Sequence, residues 1–136
     1  MIYMMYIDAS NRVLGRVASI TAKHLLSGED VAVLNAEKAV VLGNPVATIE
    51  MYKDKRARGD PYHGPFYPKK PDTIFKRTVR GMLPYKRPRG REAFKRLKVF
   101  ISIPEDMRDK EFTAVHGAAN KGERKCITLA NLVERL

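Results

Sequence analysis

Apolar residues recur along this chain at two different periods, and the switches between them mark strands and helices. The opening YMMYIDA is a short apolar and aromatic run that reads as a first strand. In the following SNRVLGRVASITAKHLLSG, Val13 or Leu14, Val17, Ala18, Thr21 and Leu25 return every three to four residues, the spacing of a helix with one apolar face. Ser10 or Asn11 is placed to cap its start and Gly28 to end it. Gly15 inside that helix costs about 1 kcal/mol relative to Ala, so a close approach by another backbone or a ligand is expected there. VAVLNA (31–36) and VVL (40–42) read as two buried strands. GNPVATIEMYKDKRAR then predicts a helix, with Asn44 as cap, Pro45 at its first position, and Val46, Ile49 and Tyr52 on one face. It runs out into Lys53, Lys55, Arg56 and Arg58, cations that a helix C-terminus favours.

Residues 59–71, GDPYHGPFYPKKP, hold too many prolines and glycines for a helix or a central strand, and predict a loop that orders on contact. DTIFKRTVRGMLP restores a helix, capped by Asp72 and stopped by Pro84, with Ile74, Phe75, Val79, Met82 and Leu83 facing inward. YKRPRG reads as an irregular basic link, REAFKRLK as a short helix burying Ala93, Phe94 and Leu97, and VFISIP (99–104) as a further buried strand. EFTAVHGAANKGERK resists assignment. TLANLVERL closes the chain with Leu129, Leu132, Val133 and Leu136 on one helical face. Strands alternating with helices, several of them apolar on both faces, predict an α/β layered domain with a mainly parallel sheet.

At 136 residues with 44% apolar side chains, the chain is expected to form one domain, 1–136, with a real core. No apolar run approaches the ~20 residues of a membrane-spanning helix. The start lacks the basic region and cleavage site of a signal peptide, and Met1, Met4 and Met5 leave the initiating methionine open. Cys126 is the only cysteine, which rules out an internal disulfide and a multi-cysteine metal site and suits a reducing cytosol. With no catalytic group paired to it, Cys126 reads as a small half-buried hydrophobe rather than a reactive thiol.

Charge changes the picture most. Of the net +11, residues 53–98 hold sixteen Lys or Arg against four acids, while the remainder of the chain is nearly neutral. So much like charge in one segment is most readily explained by a polyanion that neutralises it. Catalysis has little support. His24, His63 and His116 are far apart and form no metal-binding spacing, Asp60 with His63 is weak ground for a nuclease, and GAANKGE lacks a phosphate-loop pattern. No enzyme activity, cofactor, metal or small-molecule substrate is therefore expected.

Binding accounts for more. The expected contacts are Lys53, Lys55, Arg56, Arg58, Lys69, Lys70, Lys76, Arg77, Arg80, Lys86, Arg87, Arg89, Arg91, Lys95, Arg96 and Lys98, with the guanidinium forks suited to phosphate oxygens. Tyr62, Phe66, Tyr67 and Tyr85 lie among them and are able to stack on unpaired bases, or simply pack the loop. Cations spread over short helices and broken links suit RNA better than a DNA major groove, and the basic helices lack the apolar face that would enter lipid.

DASNRVLGRVAS (8–19), VLNAEK (33–38), FKRTVRGMLPYK (75–86) and LKVF (97–100), in that order, resemble the universal large-subunit ribosomal protein thirteen family in its archaeal and eukaryotic form. RTVRGMLP is the most specific of these pieces. The resemblance implies a three-layer α/β/α fold, its four-stranded parallel sheet using strands near residues 5, 33, 41 and 101, with a basic helix-loop extension. It also implies a non-enzymatic component of the large ribosomal subunit in the cytoplasm, binding large-subunit rRNA, neighbouring other ribosomal proteins and supporting subunit assembly. By the same resemblance Lys76, Arg77, Arg80, Lys86, Arg87, Arg89 and Arg91 are the leading rRNA contacts, with Arg12 and Arg16 beside the LGR motif. Beyond Pro104 the family pattern fades, and residues 105–136 are expected to serve packing or contact with a neighbouring protein. The alternatives are a free-standing RNA-binding or RNA-processing factor and an adaptor for acidic proteins.

Overall fold

The computed structural model describes residues 4–59, 62, 68–108, 112–113 and 125–136. In chain order its elements are β1 (Met4–Asp8), α1 (Leu14–Leu26), β2 (Asp30–Leu34), β3 (Val40–Leu42), α2 (Pro45–Ala57), α3 (Pro71–Gly81), α4 (Pro88–Lys95), β4 (Leu97–Val99), β5 (Phe112–Thr113), β6 (Cys126–Thr128) and α5 (Leu129–Glu134). Short 3-10 turns lie at Ala36–Lys38 and Glu105–Met107. β1 and β2 pair in parallel from Met4 with Asp30 to Asp8 with Leu34, and β2 pairs in parallel with β4 from Val31 with Leu97 to Val33 with Val99. The two residues of β5 add to the far side of β1, opposite Tyr6 and Ile7.

Val31, Ala32, Val33 and Leu34 are all fully buried, so β2 is covered on both faces, as its unbroken apolar run predicts. α1 turns Leu14, Val17, Ala18, Ala22 and Leu25 into the core, where they join Ile7, Val31 and Val33 of the sheet and Ile74, Phe75 and Val79 of α3. Leu129 and Leu132 of α5 complete that cluster with no exposure at all, so part of the C-terminal segment is core, in keeping with the packing role expected of it.

Several expected elements fall differently. The strand at 40–42 does not enter the parallel sheet; β3 pairs antiparallel with β6, Val40 opposite Thr128 and Leu42 opposite Cys126. A parallel crossover needs a dozen or more residues, and only five separate Leu34 from Val40. The strand expected at 99–104 lies instead at Leu97–Val99, where Leu97 and Val99 face inward and Lys98 outward, and residues 100–104 fall outside it, with Ile101 exposed. Pro88 starts α4 instead of breaking a link, because its missing N–H costs nothing at a first helical position. α1 starts at Leu14 without a side-chain cap, for Asn11 takes a left-handed backbone (φ 53°) and the Ser10 N–H is turned to Asp8. Asp72 lies one residue inside α3 rather than capping it, while Asn44 does cap α2 by accepting from the Val46 N–H at 3.0 Å. Val46 itself faces outward at 62% exposure, and Thr48 joins Ile49 and Tyr52 on the buried side of α2.

The turns leaving β1 and β2 are knitted together. Asp8 Oδ1 accepts from the Asn35 side-chain amide at 3.0 Å and from the Ser10 N–H at 2.9 Å, and Asn35 reaches it from a left-handed backbone (φ 58°). Backbone bonds from the Asn11 N–H to the Lys38 carbonyl (3.1 Å) and from the Val40 N–H to the Arg12 carbonyl (2.9 Å) continue the junction. Burial pushes the Asp8 carboxyl upward, but the Asn35 amide, the Ser10 N–H and hydroxyl and the Arg12 charge together outweigh it and hold the group below the ordinary aspartate value.

Two glycines act in opposite senses. A Cβ on Gly15 would meet nothing within 4 Å, so no other part of the chain makes the close backbone approach expected there. The crowded glycine is Gly90, in the first turn of α4, where a Cβ would overlap the Pro84 carbonyl and crowd the Tyr85 nitrogen. Both overlapped groups are backbone and cannot swing aside.

Gly90→Ala is accordingly expected to destabilise the fold by at least about 1–3 kcal/mol, whereas Gly15→Ala should raise stability by about 0.4–1 kcal/mol through the unfolded chain. Thermal melts of the two variants check the pair, and a neutral Gly90→Ala would show that α4 can move. For Asp8 the sign follows from its depressed pKa. The carboxylate stabilises the fold above its unfolded pKa, and that contribution is lost as pH falls through the folded one. Asp8→Asn should thus cost about 1–2 kcal/mol near neutral pH, with the gap closing in acid. Denaturant titrations along a pH series would refute this if the gap stayed constant.

Candidate nucleic-acid interface

α3 divides into two sides by helical geometry. Ile74, Phe75 and Val79 are buried, while Thr73, Lys76, Arg77 and Arg80, spaced at i, i+3, i+4 and i+7, form a half-buried stripe beside them. The chain then turns at Pro84–Arg87, the Arg87 N–H donating to the Pro84 carbonyl at 3.0 Å, and enters α4. Lys86, Arg87, Arg89 and Arg91 cluster about that helix start, all exposed, with no acid in the first turn. A helix N-terminus carries partial positive charge of its own, so these cations sit where their field is least welcome until an anion arrives. Gly90 lets the first turn of α4 lie directly on the Pro84–Tyr85 backbone, which holds this cluster against α3.

Tyr85 joins the two groups. The Arg80 guanidinium lies 4.3 Å from the centre of its ring, and Phe94 of α4 meets the ring edge-on, with centroids 5.6 Å apart and planes at 85°. On one side of the pair is a cleft of about 280 Å³ bounded by Pro68, Thr73, Lys76, Arg77 and Phe94. On the other is a cleft of about 380 Å³ bounded by Leu83, Pro84, Lys86 and Arg87. Among the described residues, no aspartate or glutamate lines either one.

The remaining expected contacts spread outward from this centre. Lys53, Arg56 and Arg58 are exposed at the end of α2, and Lys55 lies 5.1 Å over the Tyr52 ring. Lys69 and Lys70 are exposed just before α3, Lys95 in α4 and Lys98 on β4. Arg16 is exposed in the first turn of α1, whereas Arg12 is half-buried and its charge acts on Asp8. Arg96 stands apart: its guanidinium donates to the Leu25 carbonyl at the end of α1 at 2.6 Å, tying α4 to α1. Tyr62 is 86% exposed, while Phe66 and Tyr67 lie outside the described residues, as do Asp60, His63 and His116. His24 pairs with Glu29 at 2.7 Å at the rim of α1, and Cys126 is half-buried in β6. Among the described residues there is no cluster able to hold a metal ion and no helix long and apolar enough to cross a membrane.

Sequence reasoning named Arg80 and Tyr85 but not their stacking, and missed Phe94 as a third wall and Gly90 as the contact that closes the site. The signal for Gly90 was present: a glycine in the first turn of a proline-started helix, six residues after a proline stop, marks a backbone folded back on itself.

The pattern of the family described as Ribosomal protein L13 matches residues 3–106. The large ribosomal subunit protein uL13 of Methanococcoides burtonii is 47% identical over 135 residues, covering 98% of this chain and 97% of its own. Those of Archaeoglobus fulgidus and Methanosarcina barkeri are 51% identical over 112 residues and 50% over 116, covering 82% and 85% of this chain and 72% and 83% of their own. The family pattern ends close to where it was expected to fade, yet the likeness to the first of these relatives covers 98% of this chain and so continues well beyond that point. A polyanion-ready surface on an α/β core, and a likeness running the length of the chain, lead to one conclusion: the chain belongs to the L13 family of ribosomal proteins.

Proposed function

We propose that the chain is a structural, non-enzymatic component of the large ribosomal subunit, working in the cytoplasm as part of that particle. It binds large-subunit rRNA through the basic segment 53–98 and supports assembly by holding rRNA segments together. The whole of residues 1–136 acts as one domain, its parallel sheet extended by β5 to the four strands of a three-layer α/β/α fold. The observation that carries the reading is the surface shared by α3 and the start of α4, where Lys76, Arg77, Arg80, Lys86, Arg87, Arg89 and Arg91 gather and no acid among the described residues lines the clefts between them. Such a surface repels itself until phosphates neutralise it. Lys53, Lys55, Arg56, Arg58, Lys69, Lys70, Lys95, Lys98, Arg12 and Arg16 extend the contact, and the aromatic Tyr62, Phe66 and Tyr67 add stacking. Other ribosomal proteins meet the segment after Pro104.

The endogenous chain should sediment with large ribosomal subunits and stay with them through moderate salt washing; migration as a free protein would overturn the reading. If ~6–10 phosphates are neutralised, affinity of the isolated protein for large-subunit rRNA falls by ~10³–10⁵ between about 50 and 200 mM salt. Replacing Arg87 and Arg89 together by Ala should lower that salt slope by roughly 2 and shift stability by no more than about 0.5 kcal/mol. Arg96→Ala should do the reverse, costing about 1–3 kcal/mol in a thermal melt because the Leu25 carbonyl loses its charged donor and keeps only the Gly28 N–H. An Arg96 variant that melts like the wild type would return that side chain to the set of RNA contacts.

A further inference from the structure

We infer that the Arg80–Tyr85 pair seats one unpaired nucleotide, so that the interface selects looped or single-stranded RNA over a continuous duplex. The inference rests on the rRNA-binding reading and adds the form of RNA that it takes. Arg80 and Tyr85 form the wall between two clefts, and each cleft combines cations with carbon surface: Lys76 and Arg77 with Phe94 and Pro68 on one side, Lys86 and Arg87 with Pro84 on the other. A duplex presents a convex row of phosphates, which engages the cations and leaves the concave carbon surface uncovered. A splayed-out base fills a cleft and stacks on the tyrosine or guanidinium plane, while its flanking phosphates reach the cations on either side.

The seat is already built in the free protein. Phe94 fixes the Tyr85 ring edge-on, Arg80 is held over that ring at 4.3 Å, and Gly90 lets α4 close on the Pro84–Tyr85 backbone. Little ordering therefore remains to oppose binding. Charge alone argues the other way, since counterion release per phosphate is smaller for single strands than for duplex. A preference for single strands would have to come from stacking.

The test uses a mixed-sequence single-stranded RNA with a central 2-aminopurine and a perfect RNA duplex of equal phosphate number, each titrated over a salt series. The single strand is expected to bind tighter by on the order of tenfold, with quenching of the 2-aminopurine. Tyr85→Leu should abolish that ratio and Tyr85→Phe should restore it. Arg80→Lys, which keeps the charge and loses the plane, should reduce it, and it carries the test if Tyr85→Leu does not fold. Equal affinities for the two RNAs, or Tyr85→Leu weakening both in the same proportion, would overturn the inference while salt-dependent duplex binding kept the rRNA-binding reading intact. Absence of salt-dependent binding to either RNA would bring down both.

Discussion

The burial of Phe75, with Ile74 and Val79, is the contact on which the rest of this molecule depends. α3 carries both a fully buried apolar side and a row of cations, and it packs against α1, β4, α5 and the turn at Ala36–Lys38. Because 3.6 residues make a turn, burying 74, 75 and 79 turns 73, 76, 77 and 80 toward the other side. The hydrophobic term that anchors the helix thereby also aligns the charges, which repel one another and could not be gathered by any force of their own. An insertion in α3 would rotate one set relative to the other and lose both.

The quoted motifs divide between two jobs. DASN and VLN hold the junction after β1 and β2, where one carboxylate, one side-chain amide and a few backbone bonds tie two turns together. That junction lies next to α1 and β3 and sets where both begin. RTVRGMLPYK, followed by PRG, builds the surface instead: a helix, a tight turn, and a second helix whose glycine admits the turn's own backbone. Arg12 belongs to the junction, with its charge directed to Asp8. Arg96 has left the surface for the frame, although nothing in its immediate sequence separates it from Lys95 or Lys98.

The C-terminal residues show how much depends on pairing across the chain. β6 exists because β3 offers it an edge, and Leu129 and Leu132 are buried because that pairing brings α5 over the Ala36–Lys38 turn. A three-residue strand has too few ladder bonds to stand alone, so neither partner forms without the other. The pairing of β3 with β6 is what brings Ile127, Leu129 and Leu132 into the core.

The sequence by itself determined the class of fold, the location of α1, α2, α3 and α5, the double-faced burial of β2 and the segment that carries the charge. These follow from periodicity and composition, which are local properties of the chain. Tertiary structure decided the sheet that Val40–Leu42 joins, the start of β4 at Leu97, the use of Pro88 as a helix opener, and the exchange of roles between Gly15 and Gly90. It also decided which cations face outward and which, like Arg96, are used within the chain. These outcomes turn on what another part of the chain presents at a distance of a few ångströms, and one stretch of residues has no means of encoding its own partner.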